Sequence, residues 1–345
     1  NKPSQKVEHA LHNLEESESW ALEPQFIDNN PYMMSPGIRW GTMKGDFCHH
    51  NELFAPILSV LRAENLDEAI EIVNDTGYGL TSGIESLDER EQERWREKIF
   101  AGNLYINRST TGAIVQRQPF GGWGKSSFGS GLKAGGLSYI SQFVDITISQ
   151  HSIPKSANTW GDTLKEVPLS NESFALVQNF EYWNEHFFKQ ENDYANIRGE
   201  SNVCRFVPIK NILLVLLASD TKEMVIASIM AARIVGVSMQ IGYMQKSDVS
   251  DFIEQHQELL LGENCTIKEM KKEDILAECH TFSRLRFLSK MDIDNDLYTL
   301  KAQENLSFAD AKFCVLGRIE LLHYYHEQSI STQYHRYGNL GSYSI

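Results

Sequence analysis

The sequence predicts an α/β fold, and three observations carry that prediction. Ile212–Ala218 is wholly apolar, Lys222–Val235 is a helix-length amphipathic segment followed by Gly236, and Ser238–Tyr243 is a second strand-like run. Strand, helix and strand with short joints make a βαβ unit. Strand-like and helix-like segments also alternate between residues 57 and 107. The balance of 41% hydrophobic and 23% charged residues is that of an ordinary globular chain, and a length of 345 residues predicts two domains.

Residues 1–50 give no regular pattern. Pro, Asn and Trp punctuate them, as in Asn29-Asn-Pro-Tyr and Ser35-Pro-Gly. Ile57–Leu61 reads as a buried strand. Leu66–Asn74 reads as an amphipathic helix that ends before Gly77, and Leu87–Ala101 as a charged helix stopped by Gly102 as its C-cap. Leu104–Asn107 is a further strand. Residues 112–136 are rich in Gly and irregular. Ser141–Ser149 alternates apolar and polar residues, as an edge strand does. The polar stretch 150–172, with Pro154, Gly161 and Pro168, marks a domain boundary.

Beyond it, Glu172–Gln190 is an amphipathic helix and Asn211–Ala218 a strand. Asp220 is placed as the next N-cap, with Glu223 in the capping-box position. More α/β material runs to about Leu316. Glu320–Ser329 reads as a helix, and the stretch from Tyr334 is rich in aromatic and polar groups.

Charge excludes some partners. Lys+Arg is 32 against 46 for Asp+Glu, a net charge of −14, shared equally between residues 1–150 and 151–345. No basic tail or stripe favours nucleic acid or an anionic membrane. The longest apolar run, Ile212–Ala218, is far too short to span a bilayer. Five cysteines without a CxxC pair fit reduced thiols and a cytoplasmic setting.

The candidate motifs fail one by one. Gly121-Gly-Trp-Gly-Lys-Ser has Pro119 where a phosphate loop needs Gly, and Ser127 where the dinucleotide fingerprint needs Gly. The βαβ joint Ala218-Ser-Asp-Thr has no Gly to admit a pyrophosphate. Cys48-His49-His50 has no further ligand beside it in sequence, and His323 and His326, one turn apart on the expected helix, lack the zincin pattern. No GxSxG elbow exists. The acidic run from Asp88 to Glu97 reads as a solvated helix face.

Five segments in order carry a resemblance. Glu52-Leu-Phe-Ala-Pro-Ile-Leu-Ser-Val resembles the aldehyde dehydrogenase pattern E-x-F-G-P-V-L-x-V, with Ala55 in place of Gly. Tyr78-Gly-Leu-Thr-Ser-Gly, Ala101-Gly-Asn-Leu-Tyr-Ile-Asn-Arg, Thr111-Gly-Ala-Ile-Val-Gln-Arg-Gln-Pro-Phe-Gly-Gly-Trp-Gly-Lys-Ser and Lys133-Ala-Gly-Gly follow. The Thr111–Phe120 form is similar to that of dehydrogenases of L-glutamate γ-semialdehyde, equivalently 1-pyrroline-5-carboxylate. Arg198-Gly-Glu-Ser-Asn, Gly317-Arg-Ile-Glu-Leu-Leu-His-Tyr, Glu327-Gln-Ser-Ile-Ser and Tyr334-His-Arg-Tyr-Gly-Asn-Leu-Gly resemble the C-terminal region of long proline utilization A proteins.

That resemblance implies an architecture. Residues 1–150 would be the C-terminal part of an aldehyde dehydrogenase catalytic domain, with an oligomerisation-arm strand at 141–149. Residues 151–316 would be a non-catalytic, aldehyde-dehydrogenase-like α/β domain of Rossmann type, and 317–345 a short tail, of which residues 317–341 are expected to plug or seal the cavity joining two active sites, with a terminal helix that caps the fold as the plain alternative. It also implies NAD as cofactor, L-glutamate γ-semialdehyde as substrate and, in the parent, a preceding proline dehydrogenase barrel that uses FAD. Homo-oligomerisation would follow from the arm.

The resemblance assigns cofactor-binding roles to Glu52, for the nicotinamide ribose hydroxyls, and to Phe54 and Leu80, beside the nicotinamide. Core packing is the plain alternative for Leu80. Gly112 and Ala113 would donate backbone N–H groups to the substrate carboxylate, with a simple loop turn as the alternative, and Phe120 would wall the aliphatic part of the substrate. No catalytic and no metal-binding residue is assigned. The family's nucleophilic Cys, its Glu base and its cofactor domain would precede this chain, in the missing N-terminal part of the same polypeptide, so the piece alone is expected to be inactive. A stand-alone structural or regulatory module is the alternative reading.

Overall fold

The computed structural model describes residues 2–113, 117–127, 129–144, 146, 153–156, 160, 164–289, 295–304 and 306–333. Its internal contacts divide the chain into two units, residues 1–77 with 86–100, and residues 78–85 with 101–345.

The first unit holds more order than its sequence announces. Ser4 caps helix α1 (Gln5–His12) by accepting from Val7 N–H. Strands β1 (Ser19–Leu22), β2 (Gly37–Trp40) and β3 (Ile57–Val60) form one sheet, β1 antiparallel and β3 parallel to β2. Arg39, on β2, is buried. It forks onto Glu18 and donates to the carbonyls of Ala10 (2.5 Å) and Asn13 (2.6 Å), while Thr42 donates to Glu18 at 2.7 Å. One guanidinium thus ties α1, through the Ala10 carbonyl, to the sheet. Strand β3 is half-buried, with Leu58 58% exposed, not a buried strand as expected.

Helices α2 (Leu66–Asp75) and α3 (Glu89–Lys98) complete the unit, capped by Asn65 and Asp88. The C-cap of α3 is Ile99, not Gly102. Gly102 answers a different demand: a Cβ there would stand 2.1 Å from the Gly121 carbonyl oxygen.

The second unit has two five-stranded sheets. In the first, β10 (Asn211–Leu216), β11 (Ser238–Tyr243), β12 (Cys265–Glu269), β13 (Arg284–Arg286) and β14 (Phe308–Ala309) are all parallel, in the order β12-β11-β10-β13-β14. Ile212 to Val215 are fully buried, as befits a parallel sheet covered on both faces. The βαβ unit is as expected, with helix α5 (Lys222–Val235) following helix α4 (Asn171–Trp183) in the chain and Gly236 closing α5 at φ +84°. The N-cap of α5 is Thr221, whose hydroxyl accepts from Met224 N–H, rather than Asp220. Asp220 instead accepts from Leu217 N–H (2.9 Å) and Ser289 Oγ (3.1 Å).

The second sheet runs β5-β6-β15-β9-β8, from β5 (Thr81–Ile84), β6 (Asn103–Ile106), β8 (Asn192–Asp193), β9 (Glu200–Pro208) and β15 (Tyr325–Gln333). A short antiparallel pair, β4 (Tyr78–Gly79) with β7 (Trp123–Gly124), lies in the same unit. The helix expected over 320–329 is therefore corrected. Gly317–Glu320 is one α-helical turn, Leu321–Tyr324 is a 3-10 turn, and the chain then enters β15. β15 lies parallel to β6 and antiparallel to β9, so it joins two strands that are about a hundred residues apart in the sequence. Two buried arginines on β13 anchor its approach: Arg286 forks onto Glu320 at 2.7 and 2.9 Å, and Arg284 donates to His323 O at 2.9 Å.

Tyr139–Phe143 is a 3-10 helix, not the start of the expected strand. Most of the remainder of that stretch, 145 and 147–149, and the tail from 334 lie outside the described residues. No helix among the described residues is long and apolar enough to cross a membrane.

Candidate functional site

The loop after β6 carries Gly112 and Ala113, two of the residues singled out in the sequence. Asn107 turns the chain at φ +55°, and its N–H donates to Ile84 O on the neighbouring strand. Gly112 follows at φ +84°, exposed, with no atom within 4 Å of where a Cβ would be. Glycine is required there by the backbone, since the left-handed region penalises a side chain. Ala113 is half-buried. Neither N–H has a partner among the described residues.

Both ends of this loop return to the same place. Arg108 Nη1 lies 3.2 Å from Glu200 Oε2, and Arg117 Nη2 bonds Glu200 Oε1. Arg108 Nη1 (2.5 Å) and Gln118 Nε2 (2.7 Å) both donate to Ser331 Oγ, which itself donates to Asn202 Oδ1 at 2.9 Å.

The Gly-rich stretch 117–136 is fastened to the same strand. Trp123 donates to Glu327 O at 2.9 Å and stacks on His326, and Ser329 Oγ donates to Pro119 O at 2.7 Å. Phe120, 38% exposed, is held by paired backbone bonds to Ala134. Lys133 is 1% exposed. Its N–H donates to Glu327 Oε2, and its ammonium bonds Asn103 Oδ1 (2.8 Å) and Gly121 O (2.6 Å). Burial lowers Lys133 to about 7 and raises Glu327 above the usual carboxylate range. A cavity of about 590 Å³ opens beside these groups, walled by Arg117, Lys133, Tyr194, Cys204, Phe206 and Glu327.

Leu80, 38% exposed, lies between β4 and β5, and its carbonyl accepts from Asn103 N–H and Nδ2. Glu52 and Phe54 belong to the first unit. They project from the segment before β3, Glu52 exposed and Phe54 92% exposed at φ +51°. A phenyl ring so exposed, on a strained backbone, is not a core residue.

Folding brings Asp75 to the His49–His50 pair, with one ligand atom from each within 4.8 Å of the others. His49 is already committed: Nδ1 accepts from Gly45 N–H (3.1 Å), so Nε2 carries the proton and donates to Ile72 O (2.8 Å). No lone pair is left for a metal. His323 and His326 are not one turn apart on a helix, since His326 is on β15. Burial raises the thiols of Cys48 and Cys314, and those of Cys204 and Cys265 to about 11, the opposite of what a nucleophilic cysteine needs.

The aldehyde dehydrogenase family profile matches residues 5–148. Proline Utilization A from Corynebacterium freiburgense is similar over 97% of this chain, with a TM-score of 0.79 and 32% identity. This chain carries an aldehyde dehydrogenase family domain. Relatives of that domain include the 1-pyrroline-5-carboxylate dehydrogenases of Geobacillus sp. (strain WCH70), 46% identical over 26% of this chain, and of Bacillus subtilis (strain 168), 39% identical over 33%. The chain spans 31% of the Corynebacterium protein and 17% and 22% of the two dehydrogenases.

The aldehyde dehydrogenase domain's loop was legible from the Thr111–Phe120 motif. Glu200, Ser329 and Ser331, which hold it, were not. They fall in segments that resembled proline utilization A proteins without any role attached.

Proposed function

We propose that this chain is the C-terminal portion of an NAD-dependent L-glutamate γ-semialdehyde dehydrogenase, joined in its parent to an FAD-dependent proline dehydrogenase. The observation that supports this best is the likeness to Proline Utilization A over 97% of the chain. Gly112 and Ala113 offer two N–H groups without a partner among the described residues, which suits a carboxylate. Phe120 would line the aliphatic stretch of the substrate.

NAD supplies the hydride acceptor when bound. The residues here suit only its nicotinamide end. Glu52 is an exposed carboxylate able to bond two ribose hydroxyls, with the exposed Phe54 two residues on. The joint before α5 does not fit a pyrophosphate: it has no Gly, and Asp220 puts a carboxylate there. The chain alone would be inactive, because the nucleophilic Cys and the cofactor domain would belong to the preceding part of the parent, and no cysteine here stands in the nucleophile's sequence context. Residues 151–316 would serve as a non-catalytic domain, with 317–345 sealing the path between the two active sites, in a cytoplasmic homo-oligomer.

The test is proline-dependent NADH formation by the full-length protein, set against this chain alone. NADH from the former and none from the latter is expected. A full-length protein that oxidises neither proline nor glutamate semialdehyde would overturn the proposal.

A further inference from the structure

We propose that Glu200 and Ser331 are positioning residues that set where the Gly112–Ala113 loop meets its substrate, so that carboxylate recognition depends on strands β9 and β15. This rests on the reading of Gly112 and Ala113 as carboxylate donors. The geometry is that of a two-point staple. The loop leaves at Arg108 and returns at Arg117 and Gln118, and one carboxylate, Glu200, binds the arginine at each end. One hydroxyl, Ser331, repeats the pattern by accepting from Arg108 and Gln118. With its donation to Asn202, that hydroxyl makes all three bonds open to it. Register fixes both: Ser331 lies opposite Asn202 on β9 and Tyr105 on β6, and Glu200 opposite Gln333.

The network is a poor device for stability. Glu200, Asn202, Gln118 and Ser331 are buried. Arg108 Nε, Arg117 Nε, Gln118 Oε1, Asn202 Nδ2 and Tyr105 OH are buried with no hydrogen-bond partner among the described residues. Each such atom costs desolvation energy that an apolar side chain would not. What the network does well is fix geometry, because charge-assisted forks tolerate little displacement. The object so fixed is a loop carrying the Gly112 and Ala113 N–H groups, neither of which has a hydrogen-bond partner among the described residues.

The test uses the full-length enzyme and the variants Glu200→Gln and Ser331→Ala. KM for glutamate semialdehyde and the inhibition constant of L-glutamate, which presents the same carboxylate, should both rise, roughly tenfold for Glu200→Gln. The KM for NAD and kcat should change less than about twofold, which separates loop placement from general damage. Ser331→Ala removes a single oxygen and serves should Glu200→Gln fail to fold. A fall in kcat with both carboxylate-dependent constants unchanged, or wild-type constants in both variants, overturns the inference. An inactive wild-type enzyme would instead overturn the proposed function.

Discussion

The bond between Lys133 and Glu327 runs from a backbone N–H to Oε2 at 2.7 Å, while the ammonium of Lys133 turns to Asn103 and Gly121. A cation and an acid are therefore buried together without forming a side-chain fork. Burial acts on both, lowering Lys133 from 10.5 to about 7 and raising Glu327 above 4.5.

Opposite pH slopes follow. Between about pH 7 and 10.5 the unfolded chain holds a proton on Lys133 that the folded chain lacks, so stability rises with pH across that window. Above pH 4.5 the folded chain holds a proton on Glu327 that the unfolded chain releases, so stability falls as pH rises towards the folded value. Lys133→Met should flatten the alkaline rise, and Glu327→Gln the acid-side fall. Melting temperature against pH checks both, and a rise that survives in Lys133→Met would refute the assignment.

A second titration lies on β15. Burial, with Arg284 and Lys133 nearby, lowers His326 from 6.5 to about 3. Between those values the unfolded chain binds a proton that the folded chain refuses, so stability is lost as pH falls from 6.5 towards 3. His326→Phe keeps an aromatic ring against Trp123, 4.7 Å away in a stacked pair, and removes the proton uptake. Acid unfolding followed by Trp fluorescence should shift to lower pH in that variant. An unchanged acid midpoint would mean that another group drives the transition.

The parallel sheet was legible because Ile212–Ala218 and Ser238–Tyr243 are apolar runs around a helix closed by Gly236. β15 was not. Tyr325 to Gln333 is buried along nearly its whole length, so no alternation of apolar with polar residues marks a face. Its Glu327, Gln328, Ser329 and Ser331 are inside because they bond groups more than 90 residues distant, as Glu327 does to Lys133 and Ser331 to Arg108. A sequence pattern records periodicity but not partners. The same limit hid the staple at Glu200 and the cap at Thr221, where Asp220 was taken up by Leu217 and Ser289.

Two glycines separate crowding from conformation. Gly102→Ala sets a methyl group against the Gly121 carbonyl, at 2.1 Å, where only backbone could yield, and should cost about 3 kcal/mol. Gly236→Ala meets nothing within 4 Å but holds φ at +84°, and should cost about 1 kcal/mol. Denaturant unfolding measures both, and equal costs would contradict the distinction.

The place of β15 between β6 and β9 makes a sharper demand on the C-terminus. All nine of its residues pair with β9, and four also pair with β6. A chain ending at residue 324 leaves both neighbours with an open edge, and leaves Arg108 and Gln118 without Ser331. A chain ending at 333 keeps the strand and serves as the control. The amides of 103–106 and 201–207 should then exchange much faster in the shorter chain than in the control. The parallel sheet should keep its protection on the side of Leu213, Val215, Met270, Ile275, Leu285 and Phe308, a cluster with no member beyond 308. Loss of protection across both sheets would show that the second unit unfolds as one, and protection retained at 103–106 would show that β6 does not need its C-terminal neighbour.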